Sequence, residues 1–242
     1  MFKTTTNMSD IARDFWLSEN SAKVFQIANA EQKTVQPLIA KIIEQLDPKT
    51  LLDYGCGDSF VSRLLSNDIE IGLYDINIQE AQKALSYLED KNARLFESPD
   101  DIPSGYYDCI VFSLVLICLS SKKEFRSILS NFKKFKTADG RFILVTTHPC
   151  FRQYDYRPFY TEYTKGKPFN YFNELEPFEV YIRDDKNEAV HFTDFHWTLS
   201  DTINEIVSNG FTLERMIEVP DMTFDEIPAN KQFSPFIILI CK

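Results

Sequence analysis

Asp53, Gly55 and Gly57 stand in the run LLDYGCGDSF, directly after an apolar stretch, and Asp75 follows 22 residues after Asp53 at the end of a second such stretch. Two glycines one residue apart let a backbone turn sharply and approach a ligand without a Cβ clash. In open parallel sheets, nucleotide-like ligands bind at such turns, at the carboxyl ends of the strands. A dinucleotide loop asks for G-x-G-x-x-G, with the pyrophosphate on the following helix N-terminus. Here Phe60 occupies the third position, preceded by Ser59, and is too bulky for that close packing. Asp53 is awkward for a pyrophosphate and suits a cationic ligand. Asp75 is placed to take both hydroxyls of a ribose, and hydrogen bonds to a charged group contribute about 1.5–3 kcal/mol each.

The elements that must position these residues read as an α/β alternation from about residue 30. Leu38, Ile42 and Leu46 share a helical face with Ile39 and Ile43, and Asp47-Pro48 stops that helix. The strand TLLDY follows, then a short stripe of Phe60, Val61, Leu64 and Leu65, then the strand IEIGLYDI. QEAQKALSYLED is a helix, ARLFE a short strand and YDCIVFSLV a buried one. Ser121 and Glu124 form a capping box for a helix carrying Phe125, Ile128, Leu129 and Phe132; Asp139-Gly140 is expected to end it, and RFILVTT is the fifth strand. After the helix TLSDTINEIVSNG, FTLERMIEV and PFIILIC close the chain without a helix between them, so they are expected to pair antiparallel.

These residues carry a resemblance. LLDYGCGDS followed by GLYDIN is similar to motif I and the following acidic residue of class I S-adenosylmethionine-dependent methyltransferases, with Ser59 where that family usually has its last glycine. YYDCIVFSLVLICL resembles the family's motif around the fourth strand, and HPCF, FHWTLSD and NGFTLERMIE together resemble a small-molecule (type 11/12-like) branch. The resemblance covers roughly residues 30–148 and 196–242. It implies a Rossmann-like, seven-stranded, mostly parallel sheet of order 3-2-1-4-5-7-6, last strand antiparallel, flanked by helices. The donor would be S-adenosyl-L-methionine, leaving S-adenosyl-L-homocysteine. Carried over by position, Asp53, Gly55 and Gly57 would contact its methionine part, Asp75 the ribose and Ile76 the adenine. Glu97 and Ser98 would flank the adenine, and Ser113 and Leu114 would line the methyl-donor pocket.

The stretch 149–195 shows no clean periodicity. It is expected as a substrate lid inserted after strand 5, within a single domain spanning residues 1–242 whose residues 1–29 form an N-terminal lid segment. From Phe151 to Phe195 there are 13 aromatics in 45 positions, about twice the whole-chain rate of 14%, which argues for burial rather than disorder. RDFWLSENSAKVFQIAN resembles the pre-sheet segment that covers the cofactor in many relatives. Trp16, Phe151, Tyr154, Tyr160 and Trp197 are the expected substrate-facing residues, with Tyr156 and Tyr163 as further candidates. His148, after the fifth strand, and His196, opening the next helix, are the candidate bases or orienting groups; His191 has no sheet-edge placement. Arg152 and Arg157 are expected as solvated surface arginines, with a substrate carboxylate as the alternative.

Bulk properties narrow the partner. The 242 residues are 44% hydrophobic with net charge -10, and nucleic-acid binders normally carry basic excess, so a small-molecule acceptor on O or N is favoured over RNA. The alternatives are a methyltransferase acting on a peptide or RNA, a non-catalytic binding subunit, and a nicotinamide oxidoreductase, which Phe60 disfavours. The five cysteines form no CxxC pair and read as free thiols, and no metal site is expected. Without a signal-peptide core or an apolar run near the ~18 residues of a membrane span, a cytoplasmic protein, monomer or homodimer, is expected.

Overall fold

The computed structural model describes residues 8–27, 35–156, 159–183, 189–220 and 232–242. Two short helices, α1 (Met8–Trp16) and α2 (Ser21–Ile27), precede α3 (Gln36–Leu46). Then come β1 (Thr50–Tyr54), α4 (Phe60–Leu64), β2 (Glu70–Tyr74), α5 (Ile78–Ser86), β3 (Ala93–Leu95), β4 (Tyr107–Ser113), α6 (Lys122–Phe135) and β5 (Lys136–Thr147). The insertion contributes β6 (Phe159–Thr161), β7 (Pro177–Arg183) and β8 (Ala189–Phe195). α7 (Leu199–Ser208), β9 (Leu213–Val219) and β10 (Phe236–Cys241) complete the chain.

The main sheet has the order β3-β2-β1-β4-β5-β10-β9. With the three insertion strands set aside, this is the expected 3-2-1-4-5-7-6. β1 pairs parallel with β2 and β4, and β4 with β5. β10 runs antiparallel to both β5 and β9. Strands covered on both faces are continuous apolar runs, and antiparallel β10 is one of them, all six of its residues being buried. Two apolar clusters fill the two sides of the sheet: Ile39, Ile43 and Val145 belong to one, Phe112, Phe132 and Leu144 to the other.

Local chemistry sets the helix ends, with the expected Ser121 cap among them. Ser121 Oγ accepts from the Glu124 amide at 3.2 Å to start α6, and Asn77 Oδ1 accepts from the Glu80 amide at 3.3 Å to start α5. Asp47 caps α3 in the left-handed region at φ 47. Two boundaries depart from expectation: α5 stops at Ser86, short of the Asp90 that ends QEAQKALSYLED, and the end of α6 differs as well. α6 ends at Phe135 and β5 begins at Lys136, so Asp139-Gly140 lies inside a 12-residue strand. A Cβ on Gly140 would come within 2.7 Å of the Tyr107 carbonyl oxygen, so glycine here permits close strand approach and does not mark a turn.

The insertion is a three-stranded antiparallel sheet, β6-β7-β8. Phe178, Val180 and Ile182 alternate inward along β7 and join the cluster that holds Ile39 and Val145. Burying a side chain of this kind contributes about 1.5–3 kcal/mol, which fastens the insertion to the main sheet. Its inward face therefore packs on the core of the main sheet.

Candidate active site

The glycine loop is built by backbone conformations that few side chains accept. Gly55 and Gly57 have φ of 79° and 48°. A Cβ on Gly55 would fall on the Val115 side chain, and one on Gly57 would lie 2.7 Å from the Phe25 ring. Ser59 also sits at φ 51°, just ahead of α4. The chain thus keeps the left-handed turn at the place where the third glycine is missing, at a conformational cost of roughly 1–2 kcal/mol. Gly55 and Cys56 amides donate to the Tyr74 carbonyl at 2.7 and 3.1 Å, which pins the loop to the end of β2.

Asp75 completes that connection. Its Oδ2 accepts from the Gly57 amide at 2.9 Å and its Oδ1 from the Asn77 amide at 2.8 Å. Each carboxylate oxygen has a second lone pair left for a ligand hydroxyl. Asp53 is 5% exposed at the end of β1, and Ser62 donates to its Oδ2 at 2.7 Å. Burial, reinforced by Asp75 and Asp58, pushes the Asp53 carboxyl up to about 7 against the opposing Ser62 hydrogen bond. Burial raises Asp75 as well. Among the described residues neither acid has a cationic side-chain partner.

Both acids open into a cavity of about 520 Å³, within the usual range for small-molecule sites. It runs past the carboxyl ends of β2, β1, β4 and β5. Gly55, Gly57 and Ile76 line it on the β1–β2 side, Ser113, Leu114 and Cys118 at β4, and Thr147 and His148 at β5. Leu114 holds φ 60° there, its amide donating to the Val145 carbonyl at 2.8 Å. A non-glycine residue in this region is a strained feature of the kind found at ligand sites. Trp16, Val24 and Phe25 of the N-terminal helices form the roof. Trp16 packs edge-on to Phe192 of β8 with centroids 5.1 Å apart, and its carbonyl accepts from Asn77 Nδ2 at 2.9 Å. The roof therefore joins the insertion to the residue that caps α5.

His148 lines the cavity, but both its ring nitrogens are engaged. The Cys150 amide donates to Nδ1 at 3.2 Å, so the proton lies on Nε2, which donates to Glu218 Oε1 at 3.0 Å. Burial lowers its pKa, which keeps the ring neutral near pH 7. Phe151 lines the cavity beside it, ring centroids 4.7 Å apart. Tyr154 also lines it and stacks on Phe233 at 5.1 Å.

Five expected positions lie elsewhere. His196 donates from Nε2 to the Tyr171 carbonyl at 2.8 Å beneath the insertion, away from the cavity, and burial lowers its pKa to about 4. It lies past the end of β8, fixed by backbone bonds with Leu175 and Glu176. Trp197 is 1% exposed, gives its Nε1 proton to the Leu119 carbonyl at 3.0 Å and packs edge-on to Phe125. It is a core residue of the α6 side. Tyr160 faces away because strand side chains alternate: its neighbours Phe159 and Thr161 line the cavity, while it lies under Arg183 at 5.6 Å. Glu97 is exposed, and Ser98 accepts from the Asp100 amide at 3.2 Å to cap a 3-10 turn at Pro99–Asp101. Pro99, not these two, lines the cavity. Arg157 falls outside the described residues.

Two residues were missed or misread. Arg152, expected at the surface, is 6% exposed in the cavity wall, and Asp194 of β8 faces it at 3%. Burial pushes the Asp194 carboxyl up to about 7. The signal for this wall was the F-x-V-x-I alternation of β7, which defines an inward face. Among the described residues no group of three or more His, Cys, Asp or Glu side chains is placed to hold a metal ion. No helix among them is long and apolar enough to cross a membrane, and the five cysteines are free.

Comparison with known proteins places the architecture. No family model matches the chain, and no curated protein matches it in sequence. Solved structures do match. A Leishmania major S-adenosylmethionine-dependent methyltransferase superposes with TM-score 0.66 at 12% identity, over 99% of this chain and 85% of that one. A putative S-adenosylmethionine-dependent methyltransferase from Listeria monocytogenes gives 0.56 at 21% identity, over 80% and 89%. The glycopeptide N-methyltransferase MtfA gives 0.59 at 10% identity, over 86% and 90%. The chain has the fold of the class I S-adenosylmethionine-dependent methyltransferases.

Proposed function

We propose that the chain is an S-adenosylmethionine-dependent methyltransferase that acts on an O or N atom of a small-molecule acceptor. The observation that carries the reading is the pair of buried acids, Asp53 and Asp75, flanking a left-handed glycine turn in one cavity. Two buried carboxylates without a cation are costly. A ligand with a cationic amino-acid end and a ribose diol would offset that cost at both, which a pyrophosphate would not. The residues present therefore fit the donor, with Asp53, Gly55 and Gly57 toward its methionine part and Asp75 and Ile76 toward its nucleoside.

When bound, S-adenosylmethionine supplies a sulfonium-activated methyl group and is left as S-adenosylhomocysteine. The chain's own work is to position and to exclude water. Ser113, Leu114 and Cys118 line the passage between the donor side and the insertion side of the cavity. Trp16, Phe25 and Phe192 close it from above. Its acceptor half is lined by Phe151, Tyr154, Tyr156, Phe159 and Phe178. This aromatic wall and a net charge of -10 support a small acceptor over a nucleic acid. His148 serves as an orienting wall group, since its lone pair is already taken.

The reading is tested by thermal unfolding with S-adenosylhomocysteine and, separately, with NADH. Ligand at 100-fold its dissociation constant adds about 2.7 kcal/mol, which for a chain of this size raises Tm by roughly 5–10 °C. A shift with the homocysteine compound alone is the expected result. A shift with NADH alone would replace the reading with a nicotinamide enzyme.

A further inference from the structure

Resting on the methyltransferase reading, we propose that Arg152 and Asp194 form the acceptor subsite and that the acceptor is an aromatic acid. Its carboxylate is held on Arg152, and an O–H or N–H on the same molecule donates to Asp194. Arg152 belongs to the turn after β5 and Asp194 to β8, so the insertion brings the two charges together over the sheet. Both line the cavity, and both are more than nine-tenths buried.

Neither is satisfied by the protein. Arg152 donates from Nη1 to Thr147 Oγ1 and lies 5.0 Å over the Phe178 ring. Its Nε has no hydrogen-bond partner, and neither has Oδ1 of Asp194. The two side chains are not within ion-pair distance of each other. Arg126 and Arg141 use the Nε side of the guanidinium in full: Arg126 gives Nε and Nη2 to Glu205, both at 2.6 Å, and Arg141 gives the same edge to Glu214 at 2.6 and 3.2 Å. That fork edge matches a carboxylate bidentately. In Arg152 the Nε of that edge is left unpaired, at a buried position where a guanidinium without a carboxylate is most costly.

The surroundings select the rest of the molecule. The other ionisable groups of the cavity wall are mainly acids, including Asp53, Asp75, Glu80 and Glu124, and its other arginine, Arg13, is on the exposed side of α1. An anionic group has one buried place to go. Tyr156, Phe159, Phe178 and Phe192 provide flat apolar walls around it. Arg152 and Asp194 line the same cavity as Asp53, Asp75 and Cys118, so the subsite adjoins the donor side. Asp194 supplies an acceptor for the proton of a phenol or amine that an acid alone would not need.

The test uses the full chain and thermal unfolding, with benzoate, 4-hydroxybenzoate and anthranilate set against their carboxamides, with and without saturating S-adenosylhomocysteine. The acids should raise Tm by several degrees more than the amides in the wild type. That difference should vanish in Arg152→Met and be halved or less in Arg152→Lys. Asp194→Asn should reduce the shift from 4-hydroxybenzoate and anthranilate but not from benzoate. No acid outperforming its amide on the wild type would overturn the proposal, as would an undiminished difference in Arg152→Met. Should Arg152→Met fail to fold, the wild-type comparison and Arg152→Lys decide. S-adenosylhomocysteine failing to shift Tm counts against the methyltransferase reading alone, because the acid–amide comparison is also read without it.

Discussion

The amide of Gly57 donates to Oδ2 of Asp75 at 2.9 Å, tying the glycine turn after β1 to the acid after β2. Asp75 thus shapes the loop, and in the proposed donor site its remaining lone pairs would serve a ligand. Asp75→Asn leaves one oxygen to serve both the Gly57 and Asn77 amides, so one buried donor goes unpaired. The expected loss is about 1–3 kcal/mol of folding stability, read by urea denaturation at constant m-value, together with at least tenfold weaker binding of S-adenosylhomocysteine. Unchanged stability would show that the Gly57 contact carries no weight.

Asp53 sets a pH dependence whose sign is fixed by burial. Its pKa is near 7 in the folded chain and near 3.8 unfolded. Between those values the folded state holds the extra proton, so stability falls as pH rises from about 4 to 7, at up to about 1.4 kcal/mol per pH unit, and levels off above. Asp194 contributes in the same direction and window. A cationic donor reverses the preference at Asp53. Binding of S-adenosylmethionine near pH 6.5 should therefore release protons, counted by calorimetry in buffers of different ionisation enthalpy, and Asp53→Asn should abolish most of that release. Proton uptake on binding would refute the assignment.

Ser59 occupies the left-handed region that the missing glycine would fill without strain. Ser59→Gly relieves that strain and returns part of the gain as unfolded-state entropy. The net expectation is a Tm rise of roughly 2–4 °C, about 1 kcal/mol for a chain of this length, with donor binding retained. A lower Tm would mean that the serine side chain holds the turn in place.

His148→Gln tests whether the ring is a base. A general base typically contributes 10²- to 10⁴-fold. With Nδ1 accepting from Cys150 and Nε2 donating to Glu218, less than a tenfold loss in methyl transfer and an unchanged acidic limb of the pH–rate profile are expected. A loss of 10²-fold or more with that limb removed would make His148 catalytic.

Much of the fold was legible because each element carried its own signal. The capping box at Ser121 and Glu124 and the apolar runs of β1, β4 and β10 are local facts. That two glycines and two acids gather on one cavity was legible for the same reason, since all four lie at strand ends. The acceptor side was not. Whether Tyr160 or Phe159 faces the cavity depends on the register of β6 against β7. Whether Trp197 is wall or core depends on α6 packing beneath it. Arg152 looked like a surface residue because nothing in its neighbourhood in sequence foretells that β8 returns Asp194 opposite it. Residue type alone points to His148 and His196 as bases, and spacing in the sequence does not reveal the Cys150 amide, the Glu218 carboxylate and the Tyr171 carbonyl that occupy their nitrogens.

The proposed S-adenosylmethionine site rests on Asp75 and the glycine turn. Isothermal titration of the wild type and of Asp75→Ala, each shown to be folded by circular dichroism, tests it most directly. Saturable one-to-one binding to the wild type and at least 100-fold weaker binding to the variant are expected. Absence of binding to the folded wild type, or equal affinity in the two proteins, would contradict it.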